Sequence, residues 1–241
     1  MAIVTTTCVV LQTFPYGDTS KILRLMTQDF GPKSAIARGA LRPKSKFGGL
    51  IESFSDGIAT LYLKENRDLH TLSDFELVAD RRGLASDLAR FAGASVLCEL
   101  VMRLAPEQQD EPLYAALRSG LDALVDAPPD AADATALREI WRLVGELGFE
   151  PHLTHCLQCG RAVEGGEVRF DHEAGGLLCG ACAGSRATLP PTELALLRTL
   201  VAGNHPPGGA NGTQRRLLTD FVRYHVAEGL RLRSLRFLEA I

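Results

Sequence analysis

Four of the six cysteines stand as Cys156-x2-Cys159 and Cys179-x2-Cys182, with 19 residues between the pairs. A tight turn under each pair would present both sulfurs to one ion, and Gly160 and Gly180 supply backbone suited to such turns. The pattern predicts a zinc ribbon with four thiolate ligands. The residues between the pairs read as a hairpin: Glu167 to Phe170, a turn around Glu173 to Gly176, then Leu177-Leu178. His152, His155 and His172 could replace a thiolate, but four sulfurs already close a tetrahedron and leave no position for water. The expected role is therefore folding rather than metal catalysis. A redox pair or two disulfides is the rival, disfavoured by a reducing compartment and by the lack of a βαβ pattern beside the CxxC. Cys8 and Cys98 lie in apolar runs and read as small buried hydrophobes.

A second group carries charge. No acid occurs from Phe30 to Ile51, and this stretch holds Lys33, Arg38, Arg42, Lys44 and Lys46. Gly39 to Gly49 reads as a flexible basic loop, suited to gripping phosphates with cations and backbone N–H groups. Phe14, Tyr16, Phe30, Phe47 and Tyr62 lie near it in sequence or along the same predicted sheet. Such rings are either bases' stacking partners or core. Near the other end, Arg215, Arg216 and Arg223 fall on a predicted helix. They form either a solvated face or a second anion contact, with Arg231, Arg233 and Arg236 beyond. The partition of charge agrees: residues 1–50 carry +5, residues 51–182 carry −12 and residues 183–241 carry +4, within a formal net charge of −3. Basic ends around an acidic middle suggest that the ends meet an anion.

The elements that must position these groups are short strands followed by helices. Ile3 to Thr13, Ile22 to Thr27, Lys33 to Arg38, Ile58 to Leu63 and Leu69 to Val78 have strand composition. Five strands in about 80 residues fit a small barrel of OB-fold or SH3-like type. Helical spacing follows at Leu84 to Leu104, Leu113 to Leu124 and Leu137 to Leu147, the last stopped by Gly148 and Pro151. Leu194 to Leu200 and Leu217 to Val226 continue the helical pattern beyond the cysteines. Trp141 and His225 read as packed side chains. The expected class is α+β and multidomain. An N-terminal five-stranded barrel (1–80) precedes an α-helical domain (81–151 and 186–241) that carries the zinc-ribbon insert (152–185).

The length of 241 residues and a hydrophobic share of 46% permit real cores. The most apolar stretch, Leu84 to Ala105, carries Asp87, Arg90, Glu99 and Arg103, so no membrane span is expected. No Lys or Arg precedes Lys21 and no cleavage pattern is visible, so a cytoplasmic location is the expectation. Nucleotide-binding, zinc-protease and serine-hydrolase motifs are missing. With a closed metal site, that favours a binding protein over an enzyme.

Pro15-Tyr-Gly-Asp-Thr-Ser-Lys-Ile-Leu-Arg-Leu-Met-Thr-Gln-Asp-Phe-Gly31 and Ala37-Arg-Gly-Ala-Leu-Arg-Pro-Lys-Ser45 resemble the N-terminal domain of the bacterial recombination mediator family RecO. The segment from Cys156 to Cys182 resembles its zinc-bearing members, and Leu230-Arg-Leu-Arg-Ser-Leu-Arg-Phe-Leu238 is similar to the family's ending. The resemblance spans essentially the whole chain in the right order. It implies an N-terminal OB-fold, a helical domain and a zinc-binding insert. It also implies binding of single- and double-stranded DNA, annealing of complementary strands, and work with RecR, RecF and the single-strand-binding protein SSB to load RecA. No turnover and a bacterial, nucleoid-associated location follow. Arg38, Arg42, Lys44 and Lys46 would then grip phosphates without reading sequence. Some members lack the cysteines, which makes zinc a fold device. The alternatives are a zinc-ribbon interaction scaffold with incidental nucleic-acid binding, and a hydrolytic or redox enzyme.

Overall fold

The computed structural model describes residues 2–184, 188–226 and 231–241. The expected domain boundary at 185/186 and Leu230 of the terminal motif lie outside the described residues. The chain divides into two compact units, 1–87 with 94–126, and 88–93 with 127–241.

The first unit is built on a closed barrel. Its strands are β1 (Ala2–Tyr16), β2 (Ser20–Thr27), β3 (Gly31–Ala37), β4 (Asp56–Leu63) and β5 (Leu69–Ala79). They follow the order β1-β2-β3-β5-β4, with β4 returning to pair with β1. β3 and β5 are parallel, and the other pairs are antiparallel. This is the OB-fold, and closure removes the exposed strand edges of an open sheet. Side-chain alternation fills the interior with Val10, Leu23, Leu25, Ala35, Leu61 and Leu72. Cys8 belongs to the same core, and burial pushes its thiol pKa far up. β1 bulges between Val10 and Gln12, where Val10 exchanges backbone hydrogen bonds with Phe54 and Ser55.

The connection from β3 to β4 differs from the flexible loop expected. It is a succession of tight turns in which Arg42, Ser45, Gly48 and Leu50 each donate an N–H to the carbonyl three residues back. Phe47 and Ile51 drop from it into the barrel core. Phe47 is therefore a plug, not a stacking platform, because an open barrel mouth offers apolar contact that water does not.

Helices α1 (Leu88–Leu104) and α2 (Glu111–Asp126) follow the barrel. The helical spacing predicts a domain from 81 onward that holds both helices; within the fold, residues 94–126 cluster compactly with the barrel. Arg81, 2% exposed, donates to Asp122 Oδ1 from Nε at 2.8 Å and from Nη2 at 2.7 Å, and to the Phe54 carbonyl at 3.0 Å. Asp56, 1% exposed, accepts from Arg81 Nη2 at 3.3 Å and from Arg118 Nε at 2.5 Å. A Cβ on Gly31 would stand 2.3 Å from the Gln108 carbonyl oxygen, so the β2–β3 turn needs glycine for that approach. These long-range polar contacts leave no periodic trace in a sequence.

The second unit contains α3 (Ala132–Glu146), a two-stranded hairpin of β6 (Val168–Asp171) and β7 (Gly176–Cys179), α4 (Gly180–Ala183), α5 (Pro191–Val201), α6 (Gly212–Phe221) and α7 (Leu235–Glu239). A π-helical turn, Val222–Val226, extends α6. Trp141, Phe221 and Phe170 form its aromatic centre, with ring centroids 5.1 Å apart for Trp141–Phe221 and 6.1 Å for Phe170–Phe221. Asn211 caps α6, its side chain accepting from the N–H groups of Thr213 and Gln214.

Candidate functional site

The two cysteine pairs converge in the second unit. Cys156, Cys159, Cys179 and Cys182 place their sulfurs within 4.8 Å of one another. Local structure explains why. Gly160, with φ of +71°, returns its N–H to the Cys156 carbonyl at 2.9 Å and closes the first turn. Cys179 ends β7, and α4 then carries Cys182 back toward it. The hairpin register sets Val168 opposite Cys179 and Phe170 opposite Leu177. Leu157 donates its N–H to the Leu177 carbonyl at 2.9 Å, tying the first knuckle to β7. Arg198 of α5 holds the segment from outside, donating to the Leu153 carbonyl at 2.8 Å and to the Val163 carbonyl.

The donor set fits a tetrahedral thiophilic ion. Metal–sulfur bonds of about 2.3 Å imply sulfur–sulfur edges of about 3.8 Å, and Cys159 Sγ lies 3.8 Å from Cys179 Sγ. None of the six cysteines is in a disulfide. Backbone N–H groups of Cys179, Cys159 and Gln158 pull the Cys156 thiol down to about 6. Cys182 is pushed up to about 12, because it shares hydrogen bonds with the sulfurs of Cys179 and Cys159. A cation at the centre resolves that crowding of negative charge. Among the described residues no histidine joins the cluster. His225 packs on Phe221 at 4.8 Å between centroids, and its Nε2 lies 2.5 Å from the His172 carbonyl.

The predicted cations fare unequally. Arg38, Arg42 and Lys44 are exposed on the turns after β3, and none forms an ion pair among the described residues. Lys46 is exposed but pairs with Asp74 at 3.3 Å. Lys33 is withdrawn: its ammonium donates to the carbonyls of Phe30 at 2.5 Å, Pro32 at 3.0 Å and Glu107 at 3.2 Å. Burial lowers its pKa, opposed by nearby Glu107. In the second unit, Arg215 lies 3.9 Å from Asp133, and Arg223 pairs with Asp220 and Glu239. Arg216 alone of the three is exposed without an ion pair among the described residues. The three C-terminal arginines therefore do not form one free basic face, because acids from α3 and α7 answer two of them.

The barrel also gathers cations that sequence reading passed over. Arg24, Arg67 and Arg103 line a cavity of about 660 Å³ together with Lys33 and His70. Arg38, Lys64 and Arg67 line a second of about 540 Å³ with Tyr16. His70 is 7% exposed, and its Nδ1 accepts the Lys64 N–H at 3.2 Å. Burial and the charges of Lys33 and Lys64 lower its pKa. Arg24, Lys64 and Arg67 are scattered in sequence, and only the pairing of β2, β3 and β5 collects them.

Residues 1–81 match the family model described as Recombination protein O N terminal, and residues 85–236 match Recombination protein O C terminal. The chain belongs to the RecO family. A DNA repair protein RecO of Anaeromyxobacter dehalogenans is 37% identical over 246 residues, covering 98% of this chain and 95% of the relative. Proteins of the same name from Nocardioides and Symbiobacterium thermophilum are 31% and 34% identical, covering 96% and 83% of this chain and 97% and 79% of their own lengths. No helix among the described residues is long and apolar enough to cross a membrane.

Proposed function

We propose that this chain is a recombinational repair mediator that binds single- and double-stranded DNA and anneals complementary strands. It acts with RecR and RecF to load RecA onto DNA coated by SSB, in the cytoplasm and at the nucleoid. It performs no chemical turnover. The four cysteines hold one zinc ion as a fold device. One observation carries the reading beyond family membership: Arg38, Arg42 and Lys44 are exposed on the turns after β3 and form no ion pair among the described residues. Annealing needs two strands neutralised with little sequence preference, which exposed unpaired cations supply. Lys46 belongs to the same patch at reduced strength, while Lys33 serves the fold.

The test is binding to a fluorescent single strand across a salt series. Four to six neutralised phosphates give a log–log slope of about −3 to −4. Alanine at Arg38, Arg42 and Lys44 together should flatten the slope by about two, at about 0.7 per contact on single strands. Unchanged slope and affinity in that variant would remove the turn from the interface. Absence of binding by the natural chain at low salt would favour the interaction scaffold.

A further inference from the structure

The six cysteines differ in access as well as in position. Cys8 and Cys98 are 0% and 3% exposed, so solutes do not reach their sulfurs. The four convergent thiols are not equivalent either. Cys156 is buried, Cys179 and Cys182 are half-buried, and Cys159 is exposed. That exposure belongs to the whole first knuckle, because residues 157–162 are all exposed between buried Cys156 and buried Val163. On the other side, Cys179 ends β7, and Cys182 lies on α4 next to buried Ala183. The fold thus presents one sulfur of the cluster to solvent.

Access matters because the thiolate is the nucleophile of cysteine chemistry, and a metal-ligating cysteine is held as thiolate. An exposed thiolate beside a second sulfur is the arrangement in which a peroxide oxidises the first and the second resolves it. Cys159 Sγ lies 3.8 Å from Cys179 Sγ. Cys156 is the worse resolving partner. It is built into the knuckle, its N–H donating to the Arg161 carbonyl at 2.8 Å and its own carbonyl accepting from the Gly160 N–H at 2.9 Å. Cys179 instead stands at a strand end. The chemistry balances with a hydroperoxide as oxidant. The Cys159 thiolate attacks the terminal oxygen, the O–O bond breaks, and OH passes to sulfur while the other oxygen leaves as alkoxide, or as hydroxide from hydrogen peroxide. The Cys179 thiolate then attacks the Cys159 sulfur and expels hydroxide as the disulfide forms. The two sulfurs together give up two electrons, which the peroxide takes, and water supplies protons to the departing oxygens.

We propose that Cys159 is a peroxide-oxidation site, and that its disulfide with Cys179 dismantles the metal site and loosens residues 152–184. The proposal rests on the zinc reading above and adds a reversible modification to it. After oxidation the cluster offers two thiolates, Cys156 and Cys182, in place of a closed tetrahedron. The hairpin has strands of four residues each, and little else holds it. Its remaining ties are the Leu157–Leu177 and His152–Gly175 backbone hydrogen bonds and the grip of Arg198 on the Leu153 and Val163 carbonyls. Reduction of the disulfide restores both ligands. The barrel contains none of these four sulfurs, so the modification acts on the second unit alone.

The experiment treats the full chain, its zinc content measured beforehand, with hydrogen peroxide. A chromogenic chelator follows zinc release, a 1,3-diketone traps sulfenic acid, and peptide mapping locates disulfides. The diketone should label Cys159 before any other cysteine. Without it, a Cys159–Cys179 disulfide should form as zinc is lost, and reduction with added zinc should reverse both. Limited proteolysis of the oxidised chain should cut within 152–184 and spare the barrel. Cys159→His keeps a closed ligand set of three cysteines and one histidine and should slow release severalfold. If that variant takes up no zinc, trapping and mapping on the natural chain still decide. First labelling at another cysteine, a disulfide between Cys156 and Cys159, or zinc retained after Cys159 is oxidised would overturn the proposal while leaving the zinc reading intact. A natural chain that holds no zinc would instead fail the zinc reading, and the proposal with it.

Discussion

Two long irregular segments, one in each unit, are secured by different physics. Residues 38–55 connect β3 to β4 and anchor through Phe47 and Ile51 in the barrel core. Residues 152–184 hold one short hairpin and one helical turn, and gather four thiols. A closed barrel has a mouth that apolar side chains can fill, so its connection gains order from the hydrophobic effect. The hairpin has strands of four residues each and too little interior of its own. The four convergent thiols could hold a metal ion, and its ligation would supply what apolar burial does not. The basic turn can therefore spend its outer side chains on anions, whereas the cysteine segment, on the proposed metal ligation, would spend its distinctive residues on folding.

Loss of the proposed metal should have the gravest consequence. Structural zinc is worth about 10–16 kcal/mol in finger peptides. Chelation or Cys156→Ser/Cys159→Ser should abolish one bound zinc per chain and expose 152–184 to protease. The barrel should resist cleavage and still bind single-stranded DNA; parallel loss of both would contradict the division of labour. Metal analysis, proteolytic mapping and the oligonucleotide assay read the three outcomes.

Next in size is the buried ion network of the first unit. Arg81→Ala leaves Asp56 buried with only Arg118, and loss of one partner of such a group costs about 3–5 kcal/mol. Urea unfolding should show that loss, while zinc content stays at one per chain. A change under 1 kcal/mol would show that water replaces the guanidinium and that the network does not secure the first unit.

Smaller still is the cap on α6. Asn211→Ala removes the acceptor of the Thr213 and Gln214 N–H groups and should cost about 1 kcal/mol, again read by urea. The smallest effect belongs to Lys46–Asp74. Both side chains are more than half exposed, and such pairs contribute about 0–1 kcal/mol. Asp74→Asn should leave stability nearly unchanged and slightly strengthen DNA binding by freeing Lys46. Weaker binding in that variant would remove Lys46 from the interface.

Much of this was legible from residue order. The two CxxC pairs, the five strand segments and the apolar setting of Cys8 and Cys98 are local patterns, and each survives in the structure. The fate of single cations was not legible. Lys33 and Lys44 have the same chemistry in the same acid-free stretch, yet backbone carbonyls from three residues engage the first. From sequence, Phe14 and Phe47 both read as core or platform, with core favoured for Phe14. The sheet register puts one on the outer face, and the barrel mouth swallows the other.

Residue order suffices for the family, the barrel's strands and the four convergent cysteines, because spacing and alternation are properties of neighbours along the chain. Tertiary structure alone decided which cations remain free, which rings face outward and why helical residues 94–126 join the barrel unit. Those outcomes depend on burial and on partners tens of residues away, such as Asp56 with Arg118 or Arg67 beside Arg24. Desolvation and charge pairing act through space, and only the fold sets those distances.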